Sequence, residues 1–128
     1  MSSSTKKKIL VVDDEALTTE LAKTFLEKHG FSVIIAGDGK AAISLAHSES
    51  PDLILLDVML PLIDGFTVCK KLKDCEKFRK TPILIFTAKG LSSDMEEGEA
   101  AGADEYIVKP FSGKALVVTI RKHLQMSD

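Results

Sequence analysis

Short unbroken apolar runs alternate along the chain with longer stretches in which apolar residues return every three or four positions. The clearest run is Leu53-Ile54-Leu55-Leu56, which lies between Pro51 and Pro61 and leads into a carboxylate at Asp57. Such a run suits a strand buried on both faces, and strands of that kind belong to parallel sheets covered by helices. The same pattern predicts strands over Lys8 to Asp13, Phe31 to Ala36, Pro82 to Thr87 and Glu105 to Val108. Helical stretches fall between them. The first runs from Glu15 to His29, with Leu17, Leu21, Phe25 and Leu26 on one face and Gly30 as its C-terminal cap. The second covers Lys40 to His47 after Gly37-Asp38-Gly39, and the third covers Phe66 to Asp74 after the turn signals Pro61 and Asp64-Gly65. Ser93, with Glu96 three residues on, makes a capping box for a fourth helix that Gly102 closes; a fifth runs from Ser112 to Gln125 behind Pro110.

Five such alternations, with no long linker, repeat or low-complexity tract, predict one α/β domain. The expected architecture is a five-stranded parallel sheet in the order 2-1-3-4-5 flanked by five helices, a flavodoxin-like arrangement. Residues 8–125 would form the domain, with short tails at 1–7 and 126–128. A chain of 128 residues can bury roughly two-thirds of the surface its unfolded form exposes, so a self-sufficient core is expected. Apolar residues at 45% and charged residues at 28% exclude a disordered or fibrous protein. No apolar run approaches the roughly 20 residues of a membrane span. The basic start is followed only by Ile9 to Val12 before Asp13, which is not a signal peptide, and we expect a cytoplasmic protein with no membrane insertion. The net charge of −2 gives no general attraction to nucleic acid, and Lys6 to Lys8 read as a solubilising end. Cys69 and Cys75, six apart on a helix, point about 120° apart, so neither a disulfide nor a metal pair is expected.

The chemistry gathers at one edge. The first and third strands end in Asp13-Asp14 and Asp57, the fourth ends in Thr87, and the fifth is followed by Lys109. In the order 2-1-3-4-5 the strand order reverses between the first and third strands, so both acidic ends border the crevice where open parallel sheets bind ligands. Three carboxylates there repel, and a hard cation held by oxygen ligands relieves the repulsion. Magnesium fits best, because it accepts one or two carboxylates and keeps positions for water and phosphate oxygens. A cation beside a carboxylate, a hydroxyl and a lysine points to phosphoryl transfer, with an aspartate as nucleophile.

The segments Val11-Val12-Asp13-Asp14-Glu15, Leu56-Asp57-Val58-Met59-Leu60-Pro61 with Asp64-Gly65, Thr87-Ala88, and Gly102-Ala103-Asp104-Glu105-Tyr106 leading to Lys109-Pro110-Phe111 closely resemble the receiver (CheY-like) domain of two-component response regulators. The similarity spans Lys8 to Leu124 in order and spacing. It implies that Asp57 is phosphorylated, that Asp14 and Asp57 bind Mg2+ directly with the Met59 carbonyl, and that Asp13 acts through a bound water. It further implies that Thr87 turns its hydroxyl onto the phosphoryl group, that Lys109 pairs with its oxygens, and that Tyr106 moves inward as the switch aromatic. The Lys109-Pro110 bond resembles the family's cis peptide. Met59 and Lys89 stand at positions that vary in the family and influence how fast the phosphoryl group is lost. Because the Met59 side chain cannot hydrogen-bond an attacking water, a phosphoryl lifetime longer than in relatives with Asn or Glu there is expected.

The resemblance implies an upstream phosphohistidine on a sensor histidine kinase or a histidine phosphotransfer protein, docking near Leu17 and Thr18. Downstream, a protein or an attached output domain would read the 91–124 face, and a homodimer could form on phosphorylation. Leu116, Val117, Val118, Ile120 and Leu124 are more apolar positions than one buried stripe requires, which fits an exposed contact or core packing. No DNA-binding module follows Leu124, so a stand-alone receiver or a domain of a longer regulator is expected.

Taken singly, the same residues have plainer readings. Asp14 could cap the first helix, Thr87 could be an ordinary strand-end hydroxyl, Lys109 a solvated lysine and Tyr106 a half-buried strand aromatic. Two other functions compete. Gly37-Asp38-Gly39-Lys40-Ala41-Ala42 matches a relaxed dinucleotide-binding turn with Asp57 20 residues beyond, but it follows the second strand and puts a charged Asp38 where phosphate would lie. A hydrolase working through an aspartyl phosphate would need a second acid soon after the nucleophile, where Met59 stands.

Overall fold

The structure is a computed structural model and describes residues 6–87, 102–108 and 112–125. Five parallel strands, β1 (Lys8–Val12), β2 (Ser32–Ala36), β3 (Leu53–Asp57), β4 (Ile83–Thr87) and β5 (Glu105–Val108), form one sheet in the order β2-β1-β3-β4-β5, as the apolar pattern predicts. Four helices are described: α1 (Ala16–Lys28), α2 (Gly39–Glu49), α3 (Gly65–Lys73) and α4 (Gly113–His123). The helix expected after Ser93 lies outside the described residues. The 3-10 turn Glu76–Phe78 carries no sequence signal, since three residues are too few to set up a period.

Alternation along each strand sorts the core into two layers. Leu10, Val12, Ile54, Leu56, Ile83 and Ile85 face α2 and α3, where Ala42, Ala46, Val68, Cys69 and Leu72 meet them. Ile9, Val11, Leu53, Leu55, Leu84 and Phe86 face α1 and α4, through Leu26, Leu116, Val117 and Ile120. All five residues of β3 are buried, which is why that strand carries no alternation and reads as a continuous apolar run.

The apolar face expected for α1 holds at Leu26 and in part at Phe25, both of which pack on the core, and is corrected at Leu17 and Leu21. Leu17 and Leu21 are 72% and 63% exposed, and Phe25 is half-buried. The stripe that turns to the sheet contains Thr19, Ala22 and Leu26. Thr19 is polar but buried, because its hydroxyl donates to the Ala16 carbonyl at 2.9 Å and so carries its own partner inward. On α4, Leu116, Val117 and Ile120 are core, Leu124 packs partly against the same layer, and Val118 alone of the five is exposed. Core packing therefore accounts for most of the apolar residues of α4.

One tie fixes the far side of the sheet. The Asp104 carboxylate accepts from the Ile83 backbone N–H at 2.9 Å and pairs with Lys73 at 2.9 Å, while Lys73 also donates to the Thr81 carbonyl at 2.7 Å. Asp104 thus joins the start of β4, the approach to β5 and the end of α3.

Candidate functional site

Parallel register carries the acidic residues to one level. Val12 pairs with Leu56, so Asp13 emerges from β1 beside Asp57 at the end of β3. Oxygens of Asp13, Asp14 and Asp57 all lie within 4.8 Å of one another. Asp13 and Asp57 are only 2% and 6% exposed, whereas Asp14 is open to solvent. Each buried acid is turned by its own chain: Asp13 accepts from the Glu15 N–H at 3.0 Å and Asp57 from the Met59 N–H at 3.3 Å. Asp14 does not cap α1; the N-cap is Glu15, with no side-chain cap bond.

The loop behind Asp57 is tightly folded. Ile63 N–H donates to the Pro61 carbonyl at 2.8 Å, Gly65 N–H to the Val58 carbonyl at 2.9 Å, and Leu62 adopts φ 71°. Gly65 opens α3 directly against the end of β3. A Cβ there would overlap the Asp57 carbonyl oxygen and stand 2.8 Å from Val58 Cα. The sequence marks Gly65 only as a turn residue, yet it is the residue that lets α3 begin under the acidic site. Its role needs the close approach of two backbones, which no local signal reveals. Met59, 58% exposed, lies at the rim beside Asp57.

The chemistry of this donor set fits a hard divalent cation. The three side-chain ligands are carboxylate oxygens close enough to share one ion, and like charges at that separation favour a counter-charge.

Residues 9–121 match the family model for the response regulator receiver domain. The chain belongs to this family. It is 45% identical over 122 residues to the alkaline phosphatase synthesis transcriptional regulatory protein PhoP of Bacillus subtilis, covering 95% of this chain and 50% of that protein. It spans about half the length of the curated relatives it matches. Among solved structures it is similar to the chemotaxis response regulator CheY4 of Vibrio cholerae, with TM-score 0.87 and 32% identity over 93% of this chain and 99% of that one. It is also similar to the receiver domain of a sensor histidine kinase from Pseudomonas aeruginosa PAO1, with TM-score 0.88 and 29% identity over 94% and 99%. That structure has a magnesium ion coordinated in its active site cleft.

Two of the remaining expected site residues of this receiver domain, Thr87 and Tyr106, lie on described strands. The backbone of Thr87 ends β4, with Phe86 paired to Asp57 and Thr87 to Val108. Tyr106 lies on β5 opposite Ile85, half-buried, and packs against the α2 and α3 layer. Lys109, Lys89 and the Lys109-Pro110 bond lie outside the described residues, as does the 91–101 part of the expected output face. The dinucleotide-like turn is accounted for structurally. Asp38 is the N-cap of α2 and accepts from the Ala41 N–H at 2.7 Å, occupying the donor a phosphate would need. No helix among the described residues is long and apolar enough to cross a membrane.

Proposed function

We propose that residues 8–125 act as a phosphorylation-controlled switch and that Asp57 is the acceptor. The observation that carries this is the gathering of Asp13, Asp14 and Asp57 within 4.8 Å at the sheet's C-terminal edge, with Asp57 buried at the end of β3. A carboxylate oxygen of Asp57 attacks phosphorus, the bond from phosphorus to a histidine nitrogen of the donor breaks, and the imidazole leaves with the electron pair. Asp14, Asp57 and the Met59 carbonyl would hold Mg2+ directly and Asp13 through water. Bound there, the ion supplies counter-charge to the equatorial oxygens of the phosphoryl group. Thr87 donates its hydroxyl to the phosphoryl group once it is in place, Lys109 pairs with its oxygens, and Tyr106 follows Thr87 inward.

The phosphoryl group carries roughly −1.5 to −2 charge where the Asp57 carboxylate carried −1, a net gain of roughly −0.5 to −1. The donor is a sensor histidine kinase or a histidine phosphotransfer protein. The listener is a downstream protein, an attached output domain or a second phosphorylated copy, through the 91–124 face. The chain is thus a regulatory acceptor that promotes its own phosphorylation and dephosphorylation, working in the cytoplasm and not itself contacting nucleic acid.

The test is intact mass after acetyl phosphate, with and without Mg2+, on the wild type and Asp57→Ala. A gain of roughly 80 Da, one phosphoryl group, is expected only in the wild type with the ion. The same gain in Asp57→Ala would overturn the assignment.

A further inference from the structure

On the face of the sheet opposite α2 and α3, a cleft of about 620 Å³ opens between α1 and α4. Its floor is apolar, made by the Phe25 ring from α1 and by Val117 and Val118 from α4. Its rim is cationic. Lys114 and Arg121 stand seven residues apart on α4, two turns along one face and so about 10 Å apart on the axis, with the two valines between them. His29 faces them from α1, its ring 4.5 Å from that of Phe25 and its Nδ1 3.0 Å from the Phe25 carbonyl oxygen. Among the described residues no carboxylate lines the cleft.

Two details make this a formed cavity more than a seam between helices. Gly113 lets the Phe25 ring lie against the first turn of α4, since a Cβ at Gly113 would stand 2.5 Å from Phe25 Cζ. A larger residue there would drive the ring into the cleft. The second is Arg121, whose Nε is sealed from solvent without a hydrogen-bond partner. Neither Arg121 nor Lys114 has an ion pair among the described residues. A guanidinium partly desolvated and uncompensated is an unfavourable arrangement by itself, and an oxyanion on its outer edge offsets it.

We propose that this cleft binds a small amphiphilic carboxylate, its apolar body on Phe25, Val117 and Val118 and its carboxylate on Arg121 and Lys114. The volume lies within the roughly 300–1,000 Å³ of small-molecule pockets. The sign of the rim selects an anion, and the floor selects an apolar body. Nothing in this depends on phosphorylation at Asp57, which is not among the residues that line the cleft.

Octanoate, below its critical micelle concentration, is the probe, followed by amide NMR of the labelled chain and by the Arg121 Nε–H resonance. Saturable shifts are expected at Gly113, Val117, Val118 and Arg121. Octanol should bind about tenfold more weakly for want of the charge-assisted contact, and octylammonium should give no saturable shift. Arg121→Gln should weaken octanoate about tenfold and leave octanol unchanged. Lys114→Gln, on the exposed side of α4, should act in the same direction and serves if the first variant does not fold. Absent saturation, equal binding of octanol and octanoate, or shifts confined to the Asp57 edge would each overturn the proposal.

Discussion

Gly65→Ala isolates the contact on which the acidic edge is built. The new Cβ would overlap the Asp57 carbonyl oxygen and meet Val58 Cα at 2.8 Å and Asp57 C at 2.9 Å. Carbon atoms prefer separations of about 3.5–4.0 Å, so α3 must withdraw by about 1 Å, and the obstructing atoms are backbone that cannot rotate aside. Overpacking of this kind costs about 1–3 kcal/mol. Lengthening the 2.9 Å Gly65 N–H bond to Val58 adds up to about 1 kcal/mol, and the better helix propensity of Ala returns about the same. A net loss of about 2 kcal/mol follows, read as a lower urea midpoint at unchanged slope. Gly37→Ala is the control, because a Cβ there meets nothing within 4 Å; it should be neutral or stabilise by about 0.4–1 kcal/mol. Gly65→Ala should also slow phosphoryl incorporation by up to about a hundredfold, since Asp57 carries both the displaced carbonyl and the proposed nucleophile. Two variants of equal stability within about 0.5 kcal/mol would refute the reasoning.

Asp104→Ala should cost about 1–3 kcal/mol in urea unfolding, because the Ile83 N–H loses its partner and Lys73 its counter-charge while keeping its bond to the Thr81 carbonyl. Asp14→Asn removes one of three crowded like charges at an exposed position, so it should melt higher than the wild type in chelator. It should also lose most of the Mg2+-dependent gain, about 2.7 kcal/mol for the wild type at a hundredfold excess over Kd. Met59→Asn should shorten the phosphoryl lifetime; a rate of loss unchanged or slower counts against that. Burial pushes the Cys69 thiol up to about 11, only partly opposed by Lys73. Its thiol should therefore resist alkylation at pH 8 while half-buried Cys75 reacts. The sign for stability follows: the folded-state value is raised, so Cys69 contributes fully below about pH 9 and the advantage over Cys69→Ala shrinks toward pH 11.

How much of this was legible in the sequence depended on how local each cause is. Fully buried strands announce themselves as apolar runs and their alternation with helices makes the sheet parallel, so with the flavodoxin-like order 2-1-3-4-5 that the receiver resemblance implies, Asp13, Asp14 and Asp57 could be placed together beforehand. The face of α1 could not. Leu17, Leu21 and Phe25 make as good a period as Thr19, Ala22 and Leu26, and only the tertiary fit decides which stripe meets β1 and β2. Thr19 hides the true stripe by satisfying its hydroxyl within its own turn. Gly65 and Asp104 were read as turn punctuation and part of a motif, because the atoms they accommodate or bind, at Asp57 and Ile83, arrive from other strands.

The two buried acids share one local device, and that bears on what can vary around them. At the end of β1 and again at the end of β3 a carboxylate folds back onto the N–H two residues on, Glu15 for Asp13 and Met59 for Asp57. An aspartate that turns the chain in this way has its side-chain direction set by backbone. Because Val12 and Leu56 are paired, the two turns begin at the same level of the sheet, and parallel register brings the carboxylates face to face. The positions of the acids then depend on strand register and on Gly65, and little on the side chains of the loop. Met59 and Leu62 are accordingly free to be exposed and to change without moving the site. A change that slips the register of β1 against β3 by one residue has no such freedom: it would turn Asp57 to the other face of the sheet and dissolve the cluster altogether.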